Sequence, residues 1–368
     1  MDENVGTRGP FGAPLFLVNY MPFPGSGWRY MRMISTSLPG PTRTVTVMMG
    51  NHPNYRVMNQ AGQVGLGLSF RPRAVSTAVN YLAARVVYRS LGRELLHLSD
   101  DGGVVHFLQE EINPWVFPTH SVVTIHTNPQ ALLDTDEYYS VSVQYKLAYR
   151  HNLTKYGRFA VPIVESEYVK QGLEEYGFPG SPIVTHPAVE PIFHPRGERG
   201  ELRRKYGLPP EAKVLLSVST DERRKNLAIL PQVMDLLPQE FVLVRVGSPV
   251  RGARTFAALT DEQVAEIYAL SDALLFPTLE EGFGYPVIEA FASDTPVVAS
   301  DLPVMEEVAG KAAILTDPRN APGLARACRD AVDRRSELVE LGKSRVEHFS
   351  VSAFVARMEQ VYSRAVRS

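Results

Sequence analysis

FPTLEEGFGYPVIEAFASDTPVVAS, residues 276–300, is the stretch from which the rest of the chain is read. Residues 273–276 form an apolar run of the length of a buried strand, and the Gly282-Phe283-Gly284 turn leads through Pro286 into a helical pattern carrying Glu289. A strand, a glycine-bearing loop and a helix start together suit a phosphate. Glycines let backbone N–H groups come close to an anion, and the positive end of the helix, where proline is tolerated in the first turn, adds to the attraction. Glu281 precedes this loop and Glu289 follows it. Carboxylates accept hydrogen bonds and repel phosphate, so beside an anion site they suit neutral hydroxyls, such as those of a sugar and a ribose. The ligand type that satisfies both demands is a nucleotide sugar. For a bare Gly-x-Gly, an ordinary strand-to-helix turn with two solvated glutamates is the favoured reading.

The run EGFGYPVIEAF, followed by TPVVASDLPVMEEVAG and AAILTDP, resembles the signature of retaining glycosyltransferase family 4, whose two glutamates stand eight positions apart, as Glu281 and Glu289 do. The resemblance implies an α/β chain of GT-B fold, in which two Rossmann-like domains with parallel sheets face each other across a cleft. It is dense over residues 214–318 and thin, though continuous in order, over residues 14–195.

The 368 residues suffice for two domains with separate cores, and the formal charge of −2 gives no global reason to expect nucleic acid or an anionic membrane as partner. One cysteine, Cys328, cannot form an intrachain disulfide, and its helical surroundings NAPGLARACRDAV suggest packing. The nine histidines show no metal-ligand spacing, so no metal is expected. Neither a signal core nor a run of ~20 apolar residues occurs, which implies a cytoplasmic protein.

Strand-like runs in the first half lie at residues 14–19, 44–49, 64–70, 103–108, 121–126 and 159–166. A turn holding Gly25 and Gly27 follows the first run, with a helix starting near Trp28. Residues 74–96 read as a long helix with Arg85, Arg89 and Arg93 on one face. That face could meet anionic lipid, leaving peripheral contact with the inner face of a membrane open, but a plain solvated face is the favoured reading because the flanking sequence is not otherwise basic. His126 closes the run SVVTIH at the carboxyl edge of a strand, where ligands of open parallel sheets collect. By resemblance, this histidine faces the donor sugar from the first domain. PIVTHPAVEPIFHP is similar to the family's interdomain segment, with one residue missing and Glu190 as the acid. The expected domains are residues 1–195, acceptor-binding, and residues 196–349, nucleotide-sugar-binding, with a last helix at 350–368 returning to the first domain.

In the second half, runs at 214–218, 241–246, 273–276, 296–299 and 312–315 alternate with helical patterns, as βαβ units of a parallel sheet do. SPVRGAR, between two strand candidates, is too short for the helix the family places there.

A transferase of this kind must grip a departing diphosphate, and cations with backbone donors can do so without a metal. One candidate set is the N–H groups around Phe283 and Gly284. The other is SVSTDERRKN, residues 217–226, which resembles the family's diphosphate loop, with Lys225 at its lysine position. Where many members carry an arginine this chain has Ser219 or Thr220, which leaves open whether Arg223 or Arg224 supplies the second cation. The resemblance further implies that Glu281, Gly282, Phe283 and His126 bind the sugar, with His126 and Glu281 catalytic, that Glu289 binds the ribose, and that Gly25 and Gly27 lie near the diphosphate. It implies front-face attack with retention, the leaving phosphate taking the proton of an acceptor hydroxyl on a glycan, lipid-linked glycan or small molecule. No cofactor beyond a UDP-, GDP- or ADP-sugar co-substrate is expected. Glu281 and Glu289 also allow a hydrolase pair, and the fold allows a sugar phosphorylase or a non-catalytic nucleotide-sugar-binding protein.

Overall fold

The computed structural model describes residues 15–19, 26–38, 42–46, 95–96, 102–110 and 117–367. Gly25, the strand expected at 64–70, most of the helix expected at 74–96, and Arg85, Arg89 and Arg93 lie outside these residues.

The first sheet is built from β1 (Leu15–Asn19), β2 (Thr42–Thr46), β3 (Val104–Phe107), β4 (Ser121–Ile125), β5 (Val161–Val164) and β6 (Ile183–Val184). Its order is β2-β1-β3-β4-β5-β6, every pair parallel. Helix α1 (Ser26–Ser37) follows β1, and α2 (Pro129–Leu133), α3 (Val143–Phe159) and α4 (Glu167–Glu175) follow β4 and β5. Strands buried on both faces need helices on both faces. Tyr149, Leu153 and Tyr156 of α3, with Val169 and Leu173 of α4, cover one side. Tyr30, Met31, Met33 and Ile34 of α1 cover the other. Local chemistry starts these helices: Asn128, Ser142 and Ser166 each cap the helix after them by accepting from a backbone N–H.

Gly27 does not lie in a turn, because α1 begins at Ser26 rather than near Trp28. The buried stripe at Tyr30, Met31 and Ile34 supplies the tertiary packing that holds a helix, and it carries the first turn back over the glycine.

The second sheet contains β7 (Lys213–Ser219), β8 (Phe241–Gly247), β9 (Arg254–Phe256), β10 (Ala273–Phe276), β11 (Val297–Ser300) and β12 (Ala313–Thr316), in the order β12-β11-β10-β7-β8-β9, again all parallel. Its helices are α5 (Arg199–Lys205), α6 (Leu230–Asp235), α7 (Asp261–Leu270), α8 (Tyr285–Ala292), α9 (Pro303–Ala309), α10 (Ala321–Asp333) and α11 (Arg335–Val346). Thr260 and Gln263 form a reciprocal cap at the start of α7. Residues 248–253 join the parallel strands β8 and β9 without a helix. Gly252, in the left-handed region at φ +78°, and the bond from Ala253 N–H to the Val250 carbonyl shape this short crossover.

The chain order of each sheet reverses at one place. In the second it is between β7 and β10, whose carboxyl ends open a crevice. Helix α12 (Val351–Arg367) packs Phe354, Met358, Val361, Tyr362 and Ala365 against the first sheet. Buried His106 fixes it there, with Nδ1 2.8 Å from the Tyr362 hydroxyl and Nε2 2.7 Å from Thr124 Oγ1. Burial pushes this imidazole down to about 3, so the tie is neutral. Cys328 is wholly buried in α10, and burial pushes its thiol up to about 12. It is a packing residue.

Candidate active site

Two loops meet at the crevice, residues 220–226 after β7 and residues 277–284 after β10. Backbone bonds zip them together: Leu279 N–H donates to the Arg224 carbonyl at 2.6 Å, and Thr278 Oγ1 donates to the same oxygen at 3.0 Å. Asn226 adopts a left-handed conformation at φ 55°, which asparagine tolerates better than most residues, and its amide donates to Pro277 O at 3.0 Å and Pro318 O at 2.8 Å. The asparagine of the Arg-Lys-Asn triplet therefore anchors the loop, and the two residues before it turn inward.

Lys225 Nζ contacts Glu281 Oε1, and Arg224 Nη1 lies 3.1 Å from Glu281 Oε2. Thr278 Oγ1 adds a bond to Oε1 at 3.2 Å. Burial alone would raise the Glu281 carboxyl, but Lys225 and then Arg224 hold it below the usual carboxylate range. Arg223 takes no part in this cluster. It is exposed, and its guanidinium donates to the Asp136 carbonyl at 3.2 Å. At the strand end, Thr220 donates to Glu222 at 2.6 Å, and Ser219 accepts from Arg245.

Gly284 caps α8 at φ +103°, where a side chain would also meet Met305 Cε at 2.7 Å. A Cβ on Gly282 would stand 2.0 Å from the His126 carbonyl oxygen, so the glycine is what lets β4 of the first sheet approach this loop. Ser166 Oγ donates to the Gly282 carbonyl at 2.6 Å, closing the same gap. The Phe283 ring is buried between Tyr285 and Phe349.

His126 follows β4. Its Nε2 lies 2.7 Å from the Leu108 carbonyl, and its Nδ1 lies 2.9 Å from Glu165 Oε2 as an ion-pair contact rather than an aligned hydrogen bond. Both ring nitrogens thus face acceptors. Burial opposes the charge, but Glu165, then Glu110 and the Leu108 carbonyl, push the imidazole up to about 10, so at neutral pH it is a fixed cation with no lone pair to act as a base. Glu165 also accepts from the Tyr285 hydroxyl at 2.8 Å, which links His126 to the first residue of α8.

Glu289 is buried inside α8 and accepts from the Tyr268 hydroxyl at 2.7 Å. Glu281 and Glu289 are engaged by different partners, Lys225 and Arg224 for the first and Tyr268 for the second. Glu280, beside Glu281, is buried against the Tyr139 hydroxyl, and burial pushes it up to about 7 against the pull of Arg224. Sequence reasoning passed over Glu165, Ser166, Glu280, Tyr139 and Arg245. Glu280 had a signal, the doubled glutamate before the glycines, and Glu165-Ser166 stands at a strand-to-helix turn like Glu281-Gly282. Tyr139 had none, since only the fold brings it to the second domain. Among the described residues no group of His, Cys, Asp and Glu could hold a metal, and no helix is long and apolar enough to cross a membrane.

Residues 212–334 match the family model described as "Glycosyl transferases group 1". The chain is 31% identical over 153 residues to the MMP alpha-(1->4)-mannosyltransferase of Mycolicibacterium hassiacum, a match covering 39% of this chain and 37% of that protein. It is 28% identical over 173 residues to the O-antigen chain mannosyltransferase B of Escherichia coli, covering 41% and 45%. The aligned segments thus span less than half the length of these relatives. Among solved structures it resembles the sucrose-phosphate synthase of Thermosynechococcus elongatus, with a TM-score of 0.76 at 17% identity over 96% of this chain and 98% of that one. Anabaena HepE in complex with UDP-glucose matches with a TM-score of 0.69 at 12% identity over 95% and 99%. Identities this low speak for the fold alone, the two-domain GT-B arrangement. The family match lies in the second half of the chain and contains both Glu281 and Glu289, on the loop and the helix where the motif is expected.

Proposed function

We infer that this protein transfers a sugar from a nucleotide-diphosphate donor to an acceptor hydroxyl, with retention of configuration and without a divalent ion. The observation that carries this reading is the convergence of Lys225 and Arg224 on Glu281 beside the glycine loop at the start of α8. Cations, backbone N–H groups and a helix N-terminus suit a diphosphate, while the buried carboxylate suits hydroxyls. Donor binding would divide the cluster: Lys225 and Arg224 would turn to the diphosphate, and Glu281 to the sugar. The charge that builds up on the departing diphosphate would then be met by preorganised cations rather than by a metal. Glu289 would take the ribose diol. The sugar would lie between Glu281 and His126, whose imidazolium orients and stabilises but removes no proton, and the leaving phosphate would accept the proton of the attacking hydroxyl. Where the acceptor is lipid-linked, the work would be done at the inner face of the membrane.

A thermal-shift panel tests this reading. UDP, GDP and ADP are compared with their sugars, including GDP-mannose, because two relatives are named mannosyltransferases, and UDP-glucose, because HepE is solved with it. A ligand at ~100 times its Kd adds about 2.7 kcal/mol of stability. No shift with any of them would refute a nucleotide-sugar site.

A further inference from the structure

Of the two arginines buried among the described residues, Arg203 pairs with Asp272 at 2.6 Å, as a buried cation is expected to. Arg245 does not. It is wholly inaccessible, the largest fully buried side chain described, and no carboxylate among the described residues forms an ion pair with it. Its Nη1 donates to Ser217 O at 3.0 Å and Val246 O at 2.6 Å, and its Nη2 donates to Ser219 O at 2.5 Å and Ser219 Oγ at 3.0 Å, while Nε has no partner. All these acceptors are neutral. Gly247, at φ +128°, makes room for the group: a Cβ there would stand 2.3 Å from Ser219 O and 2.9 Å from Arg245 Nη2.

The position is specific. Ser217, Ser219 and Arg245 lie at the carboxyl ends of the paired strands β7 and β8, under the loop that carries Lys225. Lys225 and Arg224 are already paired with Glu281, and Arg224 with Glu222 at 2.7 Å. Only Asp221, exposed in the loop, opposes burial in favouring the arginine's charge. A buried cation on neutral partners costs stability unless an opposite charge arrives. The anion that reaches this edge in the proposed function is the donor diphosphate.

We propose that Arg245 is a positioning residue for the donor, whose uncompensated charge draws the diphosphate to the crevice while its fork pins the ends of β7 and β8. It has no free Nη hydrogen with which to touch the ligand, so its effect is that of a fixed field on the phosphates and spares the nucleoside. Burial pushes the guanidinium down to about 10, so it remains charged at neutral pH. The inference rests on the nucleotide-sugar reading above.

The test is the ratio of Kd for the nucleoside to Kd for its diphosphate, measured by calorimetry with uridine and UDP, guanosine and GDP, and adenosine and ADP. Arg245→Gln is expected to lower the ratio about tenfold, the effect of one charge across roughly ten ångströms of protein, with nucleoside affinity unchanged. Arg245→Lys is expected to keep the ratio at pH 7.5 and to lose it toward pH 9.5, because a buried lysine gives up its proton more readily than arginine. That arm also serves if the Gln variant fails to fold. Wild-type protein that binds none of the diphosphates overturns the nucleotide-sugar reading and this inference with it. Wild-type protein that binds one, with an unchanged ratio in the Gln variant or a ratio flat with pH in the Lys variant, overturns this inference alone.

Discussion

The ammonium of Lys225, largely covered, rests on Oε1 of buried Glu281 at the join of the two loops that end β7 and β10. Each would otherwise be an unpaired charge in a water-poor crevice. In the proposed function the pair keeps a carboxylate and a cation ready for a ligand that carries both hydroxyls and phosphates.

Lys225→Ala and Arg224→Ala are each expected to lower kcat by ~10²–10³, the cost of losing a preorganised charge stabiliser. Arg223→Ala is expected to turn over near the wild-type rate, because its exposed guanidinium reaches only the Asp136 carbonyl. Steady-state transfer by the three variants checks this, and equal losses for Arg223 and Arg224 would contradict the assignment.

His126→Gln should lower kcat with little change in affinity for the free nucleoside diphosphate, which the proposed function assigns to the second domain. Its pH behaviour has a definite sign. The folded pKa of His126, about 10, is above the ordinary 6.5, so its stabilising contribution is full below pH 6.5 and is lost as pH rises toward 10. Melting temperatures of wild type and variant should therefore converge as pH rises through that window. A constant gap would mean that the imidazole is neutral throughout.

Glu307 clasps the two domains: it accepts from Glu167 N–H at 2.8 Å and Tyr168 N–H at 3.3 Å at the start of α4, and it lies 2.7 Å from His186 Nε2. Its carboxyl is held below 4.5, despite burial, by His186 and the two N–H groups. Its contribution is present above pH 4.5 and is lost as pH falls through the lower folded value. Glu307→Gln should enlarge the radius of gyration seen by small-angle scattering at neutral pH. Wild-type protein should show the same change only in acid. An unchanged radius in the variant would show that other contacts keep the domains closed.

Transfer assayed in excess EDTA should persist, because in the proposed function Lys225, Arg224 and the loop N–H groups would meet the diphosphate charge. Complete loss restored by magnesium or manganese would contradict this.

The second sheet was largely legible because its strands are apolar runs separated by helical patterns, and the structure moves their ends by a residue or so: 214–218 became Lys213–Ser219, and 273–276 is unchanged. Local chemistry also marked the site loops, with glycines at 282 and 284 and the Arg-Lys-Asn triplet. The choice of Arg224 over Arg223 was not legible. It depends on which way the loop turns once Asn226 ties it to Pro277 and Pro318, a contact across 92 positions in the longer case. Nor were Glu165, Tyr139 and Arg245 legible as site neighbours, because their partners come from the other domain or from the adjoining strand. The helix at Val143–Phe159 escaped notice because its outward face carries Val143, Leu147 and Phe159, which blurs the apolar periodicity.

In the proposed function Glu281, held by Lys225 and Arg224, handles the sugar of a nucleotide-sugar donor. The most direct test is nucleoside diphosphate release from the donor chosen by the thermal-shift panel, measured for wild type and Glu281→Gln with melting temperatures in parallel. Release by the wild type is expected, with a loss of ~10²–10³ in kcat for a folded Glu281→Gln. Release by Glu281→Gln at the wild-type rate would contradict it.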